Sequence, residues 1–179
     1  MTYGSFTLVR HAMPQLVPDT DPSTWRLGPE GLAAARRLSS VIPESTYVVS
    51  SPEPKASATA LLITGREPAL DLRLVEVRRP SRWNLAHRRD AKRYLGGQDV
   101  PGWEDRDDVV HRVSESLDAH LELAGSRRLL VVGHGISAAL WVAATLGINA
   151  VRWWKSLRFP DAWEIDLNSR RTHRIDAHD

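Results

Sequence analysis

Two histidines in this chain stand where reactive groups stand. His11 follows the apolar run Phe6-Thr7-Leu8-Val9 and Arg10, and His134 leaves the run Leu129-Leu130-Val131-Val132-Gly133 just before Gly135. Runs of this length read as buried parallel strands, and open α/β sheets place their chemistry just beyond the carboxyl ends of the strands. An imidazole there can attack as a nucleophile or exchange protons near neutrality, and Arg10 offers a planar, permanently charged fork. A single Arg-His pair at a strand end is more often structural. The second strand-end histidine turns the pair into a candidate site.

Other chemistries find no such constellation. The chain has no cysteine, which removes disulfides, thiolate nucleophiles and Cys-based metal sites. It has no His-x-His or His-Glu-x-x-His, and its remaining histidines at 87, 111, 120, 173 and 178 are scattered, so no metal site is expected. Ser50-Ser51 lacks the flanking glycines of a nucleophile elbow.

The elements that must position the two histidines can be read in order. Met13 to Trp25, rich in Pro and Asp, reads as a loop roofing the site. Pro29 opens a helix that runs through Leu32, Ala35, Leu38 and Val41 to Pro43. Residues 46 to 50 form a second strand, Glu53 to Ile63 a helix closed by Gly65, and Leu70 to Val75 a short strand. The irregular stretch from Ser81 to Gly102 suggests a helix or two packed as a cap. Glu104, Asp105, Asp107 and Asp108 lead into a helix over Val109 to Leu123, and Ile136 to Leu146, apolar nearly all round, is a buried helix ending at Gly147. Ala162 to Leu167 alternates, turns at Asn168-Ser169 and pairs with Thr172 to Ile175. The fold expected is a three-layer α/β/α arrangement, a mostly parallel sheet with helices on both faces and an antiparallel C-terminal edge.

The 179 residues fit one domain with a sizeable core, with a cap-like insertion around residues 78 to 102. The formal charge of +2 gives no support for nucleic-acid binding. No apolar run approaches the ~20 residues that span a bilayer, and the amino terminus lacks a signal-like core. A soluble, cytoplasmic protein is expected. Lysine is scarce: of 24 cationic residues only Lys55, Lys92 and Lys155 are lysines, so each position carries information.

Four motifs now line up along nearly the whole chain: Leu8-Val9-Arg10-His11-Ala12; Ser50-Ser51-Pro52 with Lys55-Ala56 and Thr59-Ala60; Leu74-Val75-Glu76; and Val132-Gly133-His134-Gly135. In this order they resemble the histidine phosphatase superfamily, in its phosphoglycerate-mutase-like branch. The resemblance implies a phosphohistidine mechanism with His11 as nucleophile, cations around the phosphoryl group, and an acid between the motifs as proton donor, here Glu76. Phosphoryl transfer consists mostly of positioning and electrostatics. Arg10 suits two phosphate oxygens; His134, if protonated, adds a donor; and backbone amides near Gly135 add a weak positive field.

Departures from the pattern are informative. Lys55 stands where relatives carry a second phosphate-binding arginine, giving a point charge in place of a fork. Met13-Pro14 replaces an acid and a threonine, and Gly135 in place of Asp disfavours the acid-phosphatase branch. The cations from Arg78 to Arg93 read mostly as a solvated helical face. Arg78 and Arg79, adjoining Glu76, are placed to bind an anionic part of the substrate. Trp83 either shapes the pocket or packs in the core.

The expectation is a metal-independent phosphomonoesterase, needing no cofactor, acting on a phosphorylated small molecule. The alternatives are a phosphoglycerate-mutase-type phosphotransferase and a degenerate phosphatase that binds a phospho-ligand without turnover. Oligomeric state is open.

Overall fold

The computed structural model describes residues 4–43, 46–80 and 86–176. Trp83, one of the expected substrate contacts, lies outside them. Six strands form one sheet: β1 (Ser5–Arg10), β2 (Tyr47–Ser50), β3 (Ala69–Leu70), β4 (Leu129–Gly133), β5 (Asp161–Asp166) and β6 (Arg171–Ile175). Their order is β3-β2-β4-β1-β5-β6, with the first four parallel and β5 and β6 antiparallel at one edge. The helices are α1 (Pro29–Leu38), α2 (Pro54–Thr64), α3 (His87–Leu95), α4 (Arg106–Ala124), α5 (Gly135–Leu146) and α6 (Ala150–Ser156).

The period-two alternation of a strand sorts the core into two layers. Phe6, Leu8, Leu129 and Val131 point to the face covered by α4 and α5, where they join Val113, Leu117, Ala139 and Val142. Val9, Val48, Leu130 and Val132 point the other way, onto Leu38, Ala56, Ala60 and Ile63 of α1 and α2. Each such side chain contributes about 1.5–3 kcal/mol when fully buried. That burial on both faces explains why β4 is apolar without a break.

Local chemistry sets the helix ends. Proline occupies the first turn of α1 and of α2; Gly65 and Gly147 take left-handed conformations after α2 and α5; and Asp105 caps α4 through the amides of Asp107 and Asp108. Gly31 is required by a close approach, since a Cβ there would lie 2.1 Å from the Met13 carbonyl oxygen, where the loop after β1 crosses α1.

Two elements differ from the sequence reading. The strand expected over Leu70–Val75 is only Ala69–Leu70, because the Asp71 carboxylate accepts from the Arg73 amide at 2.8 Å and bends Leu72–Leu74 into a 3-10 turn. The seven-residue α6, capped by Asn149, was not foreseen; it is too short for its periodicity to stand out, and it buries Trp153. In the stretch expected to form a cap, α3 packs against α5 and α6 through Ala91, Tyr94 and Leu95.

Candidate active site

Parallel pairing of β1 with β4 brings the two histidines together. Arg10 is registered against Gly133, and the His11 amide continues the ladder to the Gly133 carbonyl at 3.0 Å. The imidazoles of His11 and His134 then meet edge to face with centroids 5.1 Å apart. Both line a cavity of about 710 Å³ together with Arg10, Glu53, Lys55 and Glu76. The roof loop closes one side through Leu16, Pro22 and Trp25.

His11 is set in one tautomer. Its Nδ1 lies 2.8 Å from the Ala12 carbonyl oxygen, which can only accept, so Nδ1 carries the proton and Nε2 carries the free lone pair. Burial foremost, and then the neighbouring His134, hold its pKa well below the ordinary value of 6.5. The imidazole is therefore neutral and nucleophilic at physiological pH.

His134 is also neutral. Burial, opposed by Glu76 and assisted by Lys55 and Arg79, lowers its pKa to about 3. Its Nε2 lies 2.8 Å from Ser51 Oγ and 3.3 Å from Glu53 Oε1, while its buried Nδ1 has no protein partner. A neutral ring can still donate from Nδ1 if Nε2 accepts from the Ser51 hydroxyl, so an imidazolium is not needed to hold a ligand oxygen.

The Arg10 guanidinium lies over the Phe159 ring, Cζ to centroid 3.5 Å, and donates to the Leu157 carbonyl at 3.4 Å. Its buried Nε has no protein partner, and burial lowers its pKa to about 10, leaving it charged. Gly135 is a glycine for this reason: an added Cβ would come within 3.0 Å of Arg10 Nε.

Lys55 reaches the same cavity, buried, but already partnered. Its Nζ donates to the Pro22 carbonyl at 2.7 Å and forms a short ion pair with Glu53. Sequence reasoning missed Glu53, whose other oxygen, Oε1, accepts from the Glu76 amide at 2.8 Å. Burial raises the Glu53 pKa, and Lys55 counters that. The only signal available was an acid two residues before the unusual lysine.

Glu76 caps α5. Its carboxylate accepts from the amides of Val77 at 3.0 Å, Ser137 at 2.8 Å and Ile136 at 3.1 Å. Burial opposes ionisation, but His134, Arg79 and these amides outweigh it and hold the carboxyl well below the usual carboxylate range. Arg78 and Arg79 also line the cavity; Arg78 is largely exposed and pairs with Glu104 at 3.6 Å, and Arg79 donates to the Val77 carbonyl at 3.0 Å. Among the described residues no three His, Asp or Glu side chains are grouped to hold a metal ion, and no helix is long and apolar enough to cross a membrane.

A neutral, tautomer-fixed imidazole beside a buried guanidinium, a second imidazole and a helix start is an arrangement for a phosphoryl group. Comparison with known proteins gives the family. The family model for the histidine phosphatase superfamily, branch 1, matches residues 6–162, and the chain belongs to that family. No curated protein matches the sequence significantly. Among similar solved structures, a mycobacterial glucosyl-3-phosphoglycerate phosphatase shares 24% identity with a TM-score of 0.72, covering 96% of this chain and 97% of that one. A phosphoglycerate mutase from Thermus thermophilus shares 25% identity with a TM-score of 0.71, covering 96% and 98%. A phosphoserine phosphatase from Entamoeba histolytica shares 17% identity with a TM-score of 0.75, covering 96% and 95%.

Proposed function

We propose that the protein is a metal-independent phosphomonoesterase that hydrolyses a phosphorylated small molecule of the cytoplasm through a phosphohistidine on His11 Nε2. The observation that carries this reading is the His11 Nδ1 to Ala12 hydrogen bond, which leaves Nε2 as a neutral nucleophile in a ligand-sized cavity. Arg10 and Lys55 hold the phosphoryl oxygens, with the His134 Nδ1–H and the amides near Gly135 as further donors. Arg78 and Arg79, which line the cavity, contact the rest of the substrate.

In the first step Nε2 attacks phosphorus, the ester P–O bond breaks, and Glu76 protonates the departing alkoxide. In the second a water attacks the phosphohistidine, Glu76 takes its proton, and the N–P bond breaks to release phosphate. The amides favour the Glu76 carboxylate in the free protein, so the proton arrives with the substrate: a bound phosphoryl anion raises the proton affinity of the nearby carboxyl. The 86–102 stretch, with its α3 helix, borders the cavity through His87 and Arg88 and suits small substrates. We read it as the described part of a cap-like insertion within a single domain.

Lys55 supports a second reading. Its existing bonds to Glu53 and Pro22 weaken its claim on a phosphate, as in a pocket that binds a phospho-ligand without turning it over. A screen of phosphorylated metabolites with wild type and His11→Ala decides between the two, since a binder releases no phosphate from any of them. On 3-phosphoglycerate, release of inorganic phosphate supports a phosphatase, and relocation of the phosphoryl group supports a mutase.

A further inference from the structure

The segment that carries Glu76 has almost no secondary structure of its own. After the two-residue β3 and the 3-10 turn, Val75 to Pro80 runs without strand pairing, so its backbone groups need other partners. Three carbonyls of this segment and the turn before it find them on one side chain of α4. Arg112, buried, donates from Nη1 to the carbonyls of Arg73 at 2.6 Å and Val75 at 2.9 Å, and from Nη2 to the Glu76 carbonyl at 3.4 Å. The same guanidinium forms a two-pronged pair with Glu104, Nε to Oε1 and Nη2 to Oε2, both at 2.9 Å.

Glu104 extends the grip beyond Glu76. Its Oε2 accepts from the Arg78 amide at 2.9 Å, its own amide donates to the Arg78 carbonyl at 2.8 Å, and the buried Tyr94 hydroxyl of α3 fixes its carbonyl at 2.8 Å. On the opposite side, the Glu76 amide is held by Glu53. Thus the backbone on both sides of Glu76 is fixed by one buried ion pair that does not itself line the cavity.

We infer that Arg112 and Glu104 are positioning residues for proton transfer: they clamp residues 73–78 so that the Glu76 carboxyl meets the leaving-group oxygen. The inference rests on the reading of Glu76 as proton donor. A misplacement of about 1 Å is enough to cost a large part of such a contribution. The loss should fall on substrates whose leaving group needs the proton.

The test compares kcat/KM for phenyl phosphate and 4-nitrophenyl phosphate, which are alike in shape but differ in leaving-group basicity. In Glu76→Gln, phenyl phosphate is expected to lose roughly tenfold or more beyond the loss on 4-nitrophenyl phosphate, since general-acid catalysis is worth about 10²- to 10⁴-fold. Arg112→Met should reproduce that unequal loss, with Arg112→Lys recovering part of it. Arg112→Met alone leaves the Glu104 carboxylate buried and unpaired, so Arg112→Met with Glu104→Gln removes both charges and keeps a folded protein to measure. An equal loss on both esters in the Arg112 variants, beside an unequal one in Glu76→Gln, would make the clamp merely structural and overturn the inference. An equal loss in Glu76→Gln itself would instead remove Glu76 as proton donor, and the inference with it.

Discussion

Replacing Gly135 by alanine perturbs the phosphate pocket without touching a polar group. The new Cβ would lie 3.0 Å from Arg10 Nε, 3.1 Å from Cζ and 3.3 Å from Nη2. Ordinary carbon contacts begin near 3.5 Å, so the guanidinium must retreat by roughly 0.5 Å. It has little room to do so, because the Phe159 ring already lies 3.5 Å from Cζ. The retreat turns the unpartnered Nε away from the site of the phosphoryl oxygens. A hydrogen bond to a charged group contributes about 1.5–3 kcal/mol, which converts to roughly 10- to 150-fold in affinity. Alanine gains up to about 1 kcal/mol as a helix former, but crowding the buried guanidinium costs about 1–3 kcal/mol, so stability should fall slightly. The assay is the inhibition constant of inorganic phosphate and kcat/KM for 4-nitrophenyl phosphate, read beside a thermal melt. The expected result is weaker phosphate binding in a protein that still folds and melts slightly below the wild-type temperature. Wild-type phosphate affinity in Gly135→Ala would refute the placing of Arg10 as the phosphate grip.

Further outcomes follow from the buried charges. Lys55→Met strands the Glu53 carboxylate and should destabilise by about 3–5 kcal/mol, whereas Lys55→Met with Glu53→Gln recovers most of that in denaturant melts. His11 and His134 bind protons less readily in the folded protein than in the unfolded chain, so their contribution to stability is fully present above about pH 6.5 and is lost as pH falls toward their folded values. The depressed carboxyl of Glu76 adds a loss of the same sign below its ordinary 4.5. The melting temperature should therefore drop from pH 7 to pH 4, while turnover per folded molecule shows no loss of nucleophile at the usual histidine midpoint. Turnover should be unchanged by EDTA, since in the proposed mechanism nucleophile, donors and proton donor are all side chains or amides of the protein.

The parts of this protein visible in its sequence are those whose physics is local. A strand buried on both faces is an unbroken apolar run, and its end is marked where the run stops, which is why Arg10-His11 and His134-Gly135 could be placed before any contact was known. The helix stops at Gly65 and Gly147 were equally plain. What stayed hidden depends on pairs far apart in the chain. Arg112 looked like one more polar residue on an amphipathic helix, and Glu104 like part of an acidic helix start; only folding joins them across the segment bearing Glu76. Glu53 read as the first residue of an alanine-rich helix, yet it ties Lys55 and the Glu76 amide into one network beside His134. The lysine in the place of an arginine was the one visible trace of that network, and its counter-ion explains why the substitution is compatible with burial. The expected strand over Leu70–Val75 failed for the opposite reason: an alternating pattern was overruled by a single side chain, Asp71, which bonded its own backbone.

Phosphorylation of His11 Nε2, the core of the proposed mechanism, can be tested by a rapid-quench experiment with a 32P-labelled phosphomonoester. Wild type should carry an acid-labile, base-stable phosphoryl group that maps to the peptide containing His11, and His11→Ala should carry none and lose turnover. Normal turnover by His11→Ala, or a label mapping to His134 or to a serine, would contradict the proposed mechanism.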